Sequence, residues 1–431
     1  VSYSNGGGAF LVPYLVALIF VGIPMLWLDY AVGHKFRGSP PWALRKILGG
    51  GEFIGWFQTF VCFVIMVYYG AVLAWGVQYT IYSVNAAWGD DPTSFFTDSF
   101  LQVVPGDTFS WAPAWSVMIP LALVWILVLF VIGRGLSKGV EAANKIFLPL
   151  LVILFLALVV RALFLPGAVE GLNAFFTPNW GALVDPKVWL AAFAQIFYSL
   201  SVGFGIMLTY ASYLQRKSNL TGTALVAGFA NSSFEILAGI GVFSAVGFMA
   251  HQGGVSVSEV EGLTGPILSF VVVSGGLQDK FGWSPARSAL VLGVPATVIS
   301  LVLFGTRSGL NNLDIVDNFI NSVGVVSSAI MFAVLCAVAG PRLGVLRAHL
   351  NSVSSVKVPK LWEPLVGIVI PFVLFIMMAM SIVDLLMHGY GKYPSGYVLI
   401  FGWGSVAVAV IAALIFTLIP WKHRPVDTHA T

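Results

Sequence analysis

Charge is scarce in this sequence. Lys, Arg, Asp and Glu make up 9% of its 431 residues, against about 25% in a soluble domain, so the chain has too few charged groups to cover a water-facing surface. Cysteine is almost absent. Cys62 and Cys336 both fall inside apolar runs, which argues against a disulfide framework and against a cysteine-based metal site. No basic stripe interleaves with aromatic residues, so nucleic-acid binding has no support. No cluster of His, Cys or carboxylates suggests a catalytic centre, and the chain does not read as an enzyme. The short alternating segments of a membrane β-barrel are missing as well.

What is there is hydrophobic residue, 58% of the chain, with a strongly positive mean hydropathy. It recurs in runs close to the roughly 20 residues that cross a bilayer as a helix. The runs fall at 10–33, 54–85, 113–133, 146–166, 188–213, 220–250, 286–305, 314–339, 362–388 and 395–420. They predict an all-α polytopic membrane protein with about ten spans.

The distribution of Lys and Arg in the short loops sets the orientation. Lys35, Arg37, Arg45 and Lys46 place the first loop in the cytoplasm, and Arg134, Lys138 and Lys145 do the same for the third. The segment 86–112 holds Asp90, Asp91, Asp98 and Asp107 but no Lys or Arg, so it reads as external. Arg342, Arg347, Lys357 and Lys360, and then Lys422 and Arg424, put a later loop and the C-terminus inside. The alternation fails once. Residues 251–265 read as external and 277–287 as cytoplasmic, yet only a short apolar stretch from Pro266 to Gly275 joins them. A helix of about ten residues reaches about 15 Å, half the hydrocarbon thickness. The expectation is that a spanning helix is missing near Val271–Val273, and a second before residue 1. The alternative is a re-entrant or interfacial segment at 266–275.

Several ordered motifs carry a resemblance. The first span opens with Asn5-Gly6-Gly7-Gly8-Ala9-Phe10-Leu11-Val12-Pro13-Tyr14 and ends in Gly22-Ile23-Pro24. Further on come Lys138-Gly139 through Lys145 to Pro149, then Gln195-Ile196-Phe197-Tyr198-Ser199-Leu200-Ser201-Val202-Gly203-Phe204-Gly205, then Thr209-Tyr210-Ala211-Ser212-Tyr213. Asn231 and Glu235 follow on the next span. This series resembles the neurotransmitter:sodium symporter family, in particular its bacterial amino-acid transporters. The resemblance implies an inverted five-helix-repeat fold in one transporter domain over 1–431. The family's helices 2–7 would lie at 1–250 and 9–12 at 284–420, so about ten of twelve helices are represented. The two absent ones, helices 1 and 8, are those the charge pattern misses.

The resemblance also assigns roles. Ser201 to Gly205 would be the unwound centre of the sixth helix, with Gly203 and Gly205 as hinges; without it, a close-packed helix interface reads as well. Ser199 and Asn231, hard oxygen donors suited to Na⁺, would contribute to the first sodium site, although a membrane Asn alone is more often an interhelical hydrogen bond. Glu235, with Tyr14, Gln195 and Ser199 as neighbours, would supply the negative charge that chloride brings to other members, implying chloride independence; proton antiport stays open. Ile65, Tyr69, Tyr198, Ser199, Ser201 and Phe204 would line the substrate site. Asp317 would be an external gate, Tyr213 and Asp279 a cytoplasmic one, each open to the plainer reading of a solvated helix end. Gly139 and Pro149 would bound a segment that unwinds.

The expected function is sodium-coupled symport of hydrophobic amino acids, aliphatic or aromatic, by alternating access at the cell (inner) membrane. Na⁺ is the co-transported ion, the bilayer and the amino acid are the partners, and no covalent chemistry is implied. The competing expectation is a non-transporting amino-acid-binding or accessory membrane protein.

Overall fold

The computed structural model describes residues 2, 5–85, 87, 89, 94–134, 142–253, 285–339 and 342–421. Among them no strand forms, only two isolated bridges, Gly7 with Pro178 and Pro113 with Thr306. Eight helices are long and apolar enough to cross a membrane: α1 (Gly8–Phe36), α3 (Gly51–Tyr82), α4 (Trp115–Gly133), α5 (Ala142–Leu163), α9 (Leu220–Phe248), α11 (Gly309–Val338), α13 (Trp362–His388) and α14 (Ser395–Leu418). The apolar run at 188–213 is not one of them, because it is broken into α7 (Pro186–Ser199) and α8 (Ile206–Ser212). The run at 286–305 is α10 (Pro285–Phe304). Three helices lie where the sequence has only loops: α2 (Pro40–Ile47), α6 (Ala168–Phe176) and α12 (Arg342–Val353). They are too short to give a continuous apolar run, which is why hydropathy passes over them.

Proline shapes the long helices. In α1 the backbone ladder loosens into a π-helical turn at Leu18–Gly22, immediately before Pro24. In α13 a similar turn at Leu365–Val369 precedes Pro371. Proline lacks an N–H and its ring crowds the carbonyl one turn back, so a locally wider turn relieves both faults.

Burial separates scaffold from periphery. The windows of α1 and α11 are each 67% buried, and that of α3 is 56% buried, whereas α5 is only 11% buried. The window of α9 is likewise 11% buried, so α5 and α9 pack the least against the other described residues. Helix α6 docks on α9 through glycine. A Cβ on Gly171 would lie 1.8 Å from the Phe243 carbonyl oxygen, and one on Gly247 would lie 2.2 Å from the Gly167 oxygen. Only residues without a side chain let the two backbones approach this closely.

Candidate functional site

The break between α7 and α8 organises the centre of the molecule. Helix α7 starts cleanly: Pro186 occupies its first turn and the Asp185 carboxylate accepts from the Lys187 N–H at 2.9 Å, a capping arrangement. It stops at Ser199, and the chain then takes left-handed backbone angles at Ser201 (φ 52°), Gly203 (φ 79°) and Gly205 (φ 88°). A non-helical stretch in a membrane core must have its peptide groups satisfied by other parts of the protein. Here four side chains do so. Asp29 Oδ2 accepts the Gly203 N–H at 3.1 Å, Gln58 Nε2 donates to the Gly203 carbonyl at 2.9 Å, and Ser328 Oγ donates to the same oxygen at 2.8 Å. Cys62 Sγ donates to the Phe204 carbonyl at 3.0 Å. These residues stand on α1, α3 and α11, so three spans hold the distorted segment at Gly203 and Phe204 in place. Asp29, Gln58 and Ser328 are fully buried.

None of the four was singled out from sequence. The signal for Asp29 was present: an ionisable residue inside an apolar span is a functional candidate by default. Gln58 and Ser328 carry no such mark, because single polar residues are common at helix contacts in membranes.

Beside the break lies a second polar cluster. Asn231 Nδ2 on α9 donates to Ser199 Oγ at 2.9 Å and to Glu235 Oε1 at 3.3 Å. The other carboxylate oxygen of Glu235 accepts from the Tyr14 hydroxyl at 2.7 Å. Asn231 and Glu235 are four residues apart and share one face of α9. Tyr14, Ser199, Asn231 and Glu235 are thus brought together as one chain of bonds. Among the described residues no hydrogen bond joins Gln195 to this chain, whose links run through Tyr14, Glu235, Asn231 and Ser199. With both contacts of Asn231 made through its amide nitrogen, its carbonyl oxygen is left as an acceptor beside Ser199.

The third group faces the break from α3. The hydroxyls of Tyr69 and Tyr198 are hydrogen-bonded to each other. Ile65, Tyr69 and Phe204 are all buried, and Ile65 lies one turn before Tyr69 on the same helix. One residue before Tyr69, the Tyr68 hydroxyl donates to Asp317 Oδ1 at 2.6 Å, and Asn321 donates to the same oxygen at 2.9 Å. Asp317 therefore sits in a bonded network joining α3 to α11, with partners that sequence reasoning did not name. Tyr213 ends α8 and is exposed. Pro149 lies inside α5, which is continuous over the described residues. Asp279 and Gly139, and the expected missing helix near 271–273, fall outside the described residues.

The arrangement is that of a binding site. Among the described residues, no three His, Cys, Asp or Glu side chains gather as metal ligands. Instead, a stabilised helix break, a row of hard oxygen donors and an aromatic wall converge at mid-depth in the helix bundle. That is where transporters built from discontinuous helices bind ions and solutes.

Comparison with known proteins agrees. Residues 1–103, 87–279 and 272–424 match the sodium:neurotransmitter symporter family. The chain belongs to this family. As a member it is a multi-pass membrane protein, a sodium-coupled transporter of a small molecule and not an enzyme, with Na⁺ as the co-transported ion. It is 35% identical to an uncharacterised sodium-dependent transporter of Methanocaldococcus jannaschii over 451 aligned positions, covering 96% of this chain and 91% of that protein. It is 32% identical to the human sodium- and chloride-dependent GABA transporter 2 over 303 positions, 62% of this chain and 50% of that protein. The mouse sodium- and chloride-dependent transporter XTRP3A is 33% identical over 57% of this chain and 45% of its own length.

Proposed function

We propose that this symporter couples Na⁺ to the uptake of a hydrophobic amino acid by alternating access, without a requirement for chloride. The observation that carries the reading is the bonded chain Tyr14–Glu235–Asn231–Ser199 against the α7–α8 break. Ser199 Oγ and the Asn231 carbonyl oxygen are hard donors of the kind Na⁺ takes. A helix break in the centre of a transporter is the kind of place where the charged ends of a zwitterionic solute bind. The walls support an apolar side chain: Ile65 and Phe204 offer no polar atom, and the Tyr69 and Tyr198 rings add aromatic surface. The Tyr69 hydroxyl is the donor for the substrate carboxylate.

Chloride independence rests on Glu235. It places a negative charge one hydrogen bond from the proposed Na⁺ ligand Asn231, where the animal relatives are named as chloride-dependent. Asp317, Tyr213 and Asp279 are proposed as gates at the two ends, and Gly139 with Pro149 as the limits of a segment that opens the inner ion path. The membrane is the cell (inner) membrane, with the C-terminus cytoplasmic.

We also infer that the chain lacks one spanning helix near Val271–Val273. The match to the archaeal relative runs over 451 positions, more than the 431 residues of this chain, so the relative carries at least a helix's length of residues that this chain does not.

Reconstitution in liposomes tests the function. With an inward Na⁺ gradient, labelled leucine or phenylalanine should accumulate. Replacing Na⁺ by K⁺ should abolish uptake, and replacing chloride by gluconate should leave it unchanged. Saturable binding without any accumulation would favour the accessory-protein reading; uptake indifferent to Na⁺ would overturn the proposal.

A further inference from the structure

We propose that the chain carries a separate binding site for an anionic phospholipid, at the membrane-facing cleft between α2 and the end of α14. The cleft has a volume of about 550 Å³ and is lined by Trp42, Arg45, Lys46, Thr417, Leu418 and Trp421, among others. It lies away from the transport site and none of its residues takes part there.

The composition of the cleft is the argument. The face of α2 turned to the protein is apolar, with Pro40, Pro41, Ala43, Leu44 and Ile47 buried. Arg45 and Lys46 are exposed on the other face. The Trp42 and Trp421 rings lie 5.1 Å apart. The Lys46 ammonium stands 4.8 Å over the Trp42 ring, and the Arg45 guanidinium 5.7 Å over the Trp421 ring. Cations held over indole faces keep their outward N–H groups available. Arg45 is further fixed by an ion pair with the buried Glu52 at 2.7 Å, whereas Lys46 has no carboxylate partner among the described residues. The Trp42 indole N–H, buried beside the cleft, donates to no group among the described residues. Two cations and a spare donor, with no unpaired acid among the described residues of the cleft, make a receptor for a phosphate group.

Lipid is favoured over a soluble anion by what adjoins the cleft. Ile411, Leu414, Ile415 and Leu418 form an exposed apolar row along α14, Leu418 being 82% exposed. The row runs from the cleft toward the middle of the span. A ligand with phosphate at one end and hydrocarbon at the other fits both surfaces. Paired tryptophans beside Lys and Arg are also the usual furniture of the headgroup level of a bilayer, and the loop charges put this end at the cytoplasmic leaflet, where anionic lipids attract such cations.

The test uses the full chain, purified in mild detergent and stripped of lipid, titrated with phosphatidylglycerol or phosphatidylcholine and read by native mass spectrometry. One phosphatidylglycerol should be retained in preference to phosphatidylcholine. Lys46→Gln should lower its affinity about five-fold, the effect of one surface cation on an anionic lipid, and leave phosphatidylcholine unchanged. Lys46 is exposed on the surface of α2, so this variant should fold; Lys217→Gln, exposed elsewhere, serves as the control and should have no effect. Equal retention of the two lipids, or an unchanged Lys46→Gln, would overturn the proposal. So would displacement of phosphatidylglycerol by millimolar inorganic phosphate, which would assign the cleft to a soluble anion.

Discussion

Replacing Gly203 by alanine puts the helix break under direct load. Its φ of 79° is left-handed, a conformation that costs an L side chain roughly 1–2 kcal/mol. The added Cβ would also lie 2.5 Å from Ala329 Cβ and 2.9 Å from Ala329 Cα. The obstruction is a helix backbone and its first side-chain atom, not the end of a flexible chain, so relief requires α11 to move. Overpacking of that kind costs roughly 1–3 kcal/mol. The two effects together come to about 2–5 kcal/mol. Gly228→Ala on α9 is the matched control: its Cβ would meet nothing nearer than 3.5 Å, and in a helix interior alanine gains roughly 0.5–1 kcal/mol over glycine. The assay is thermal denaturation of the purified chain in detergent, scored as the half-life of the monodisperse protein because membrane proteins rarely unfold reversibly. Gly203→Ala should lose its folded form much sooner than wild type, and Gly228→Ala should match or outlast it. If Gly203→Ala were as durable as the control, the unwound, sterically confined segment at 200–205 would be refuted.

Three further outcomes follow from the same contacts. Asp29→Ala leaves the Gly203 N–H without its acceptor and should cost about 1–3 kcal/mol, whereas Asp29→Asn retains an acceptor and should cost clearly less in the same denaturation assay. Glu235→Gln removes the proposed fixed charge and keeps the shape, so Na⁺-driven uptake should fall in chloride-free buffer and recover as chloride is added; uptake blind to chloride in this variant would remove Glu235 from that role. On α12, burial together with the neighbouring His34, Lys35 and Arg37 pushes His349 down to about 4 from an ordinary 6.5. The unfolded chain therefore takes up a proton that the folded protein refuses, and stability should fall as pH drops from 6.5 toward 4. His349→Ala should flatten that acid limb in a pH series of denaturation half-lives.

Much of the architecture was legible because lipid imposes so narrow a code. A bilayer accepts only helices of one length class, so apolar runs such as 54–85 and 395–420 became α3 and α14 with shifts of a few residues at their ends. The helices that escaped were α2, α6 and α12, which lie at the ends of the bundle and answer to no such rule. In the site, the residues with an unusual chemical signature stood out: Glu235 as an acid in a span, and the Gly203–Gly205 pair as a weak point in a helix. What remained hidden was the support for the break. Gln58, Cys62 and Ser328 are ordinary residues in ordinary helices, and only the folding of α1, α3 and α11 around the segment at Gly203 and Phe204 shows what they bind. Asp317 illustrates the same limit: its position was singled out, but its bonds to Tyr68 and Asn321 depend on packing between helices far apart in the chain.

Equilibrium binding of a labelled amino-acid panel to the purified chain, with and without Na⁺, tests the central claim most directly. The account predicts saturable binding of an apolar amino acid that requires Na⁺ and is lost in Asn231→Ala while the variant stays folded. Binding of equal strength in K⁺ alone, or binding untouched by Asn231→Ala, would contradict it.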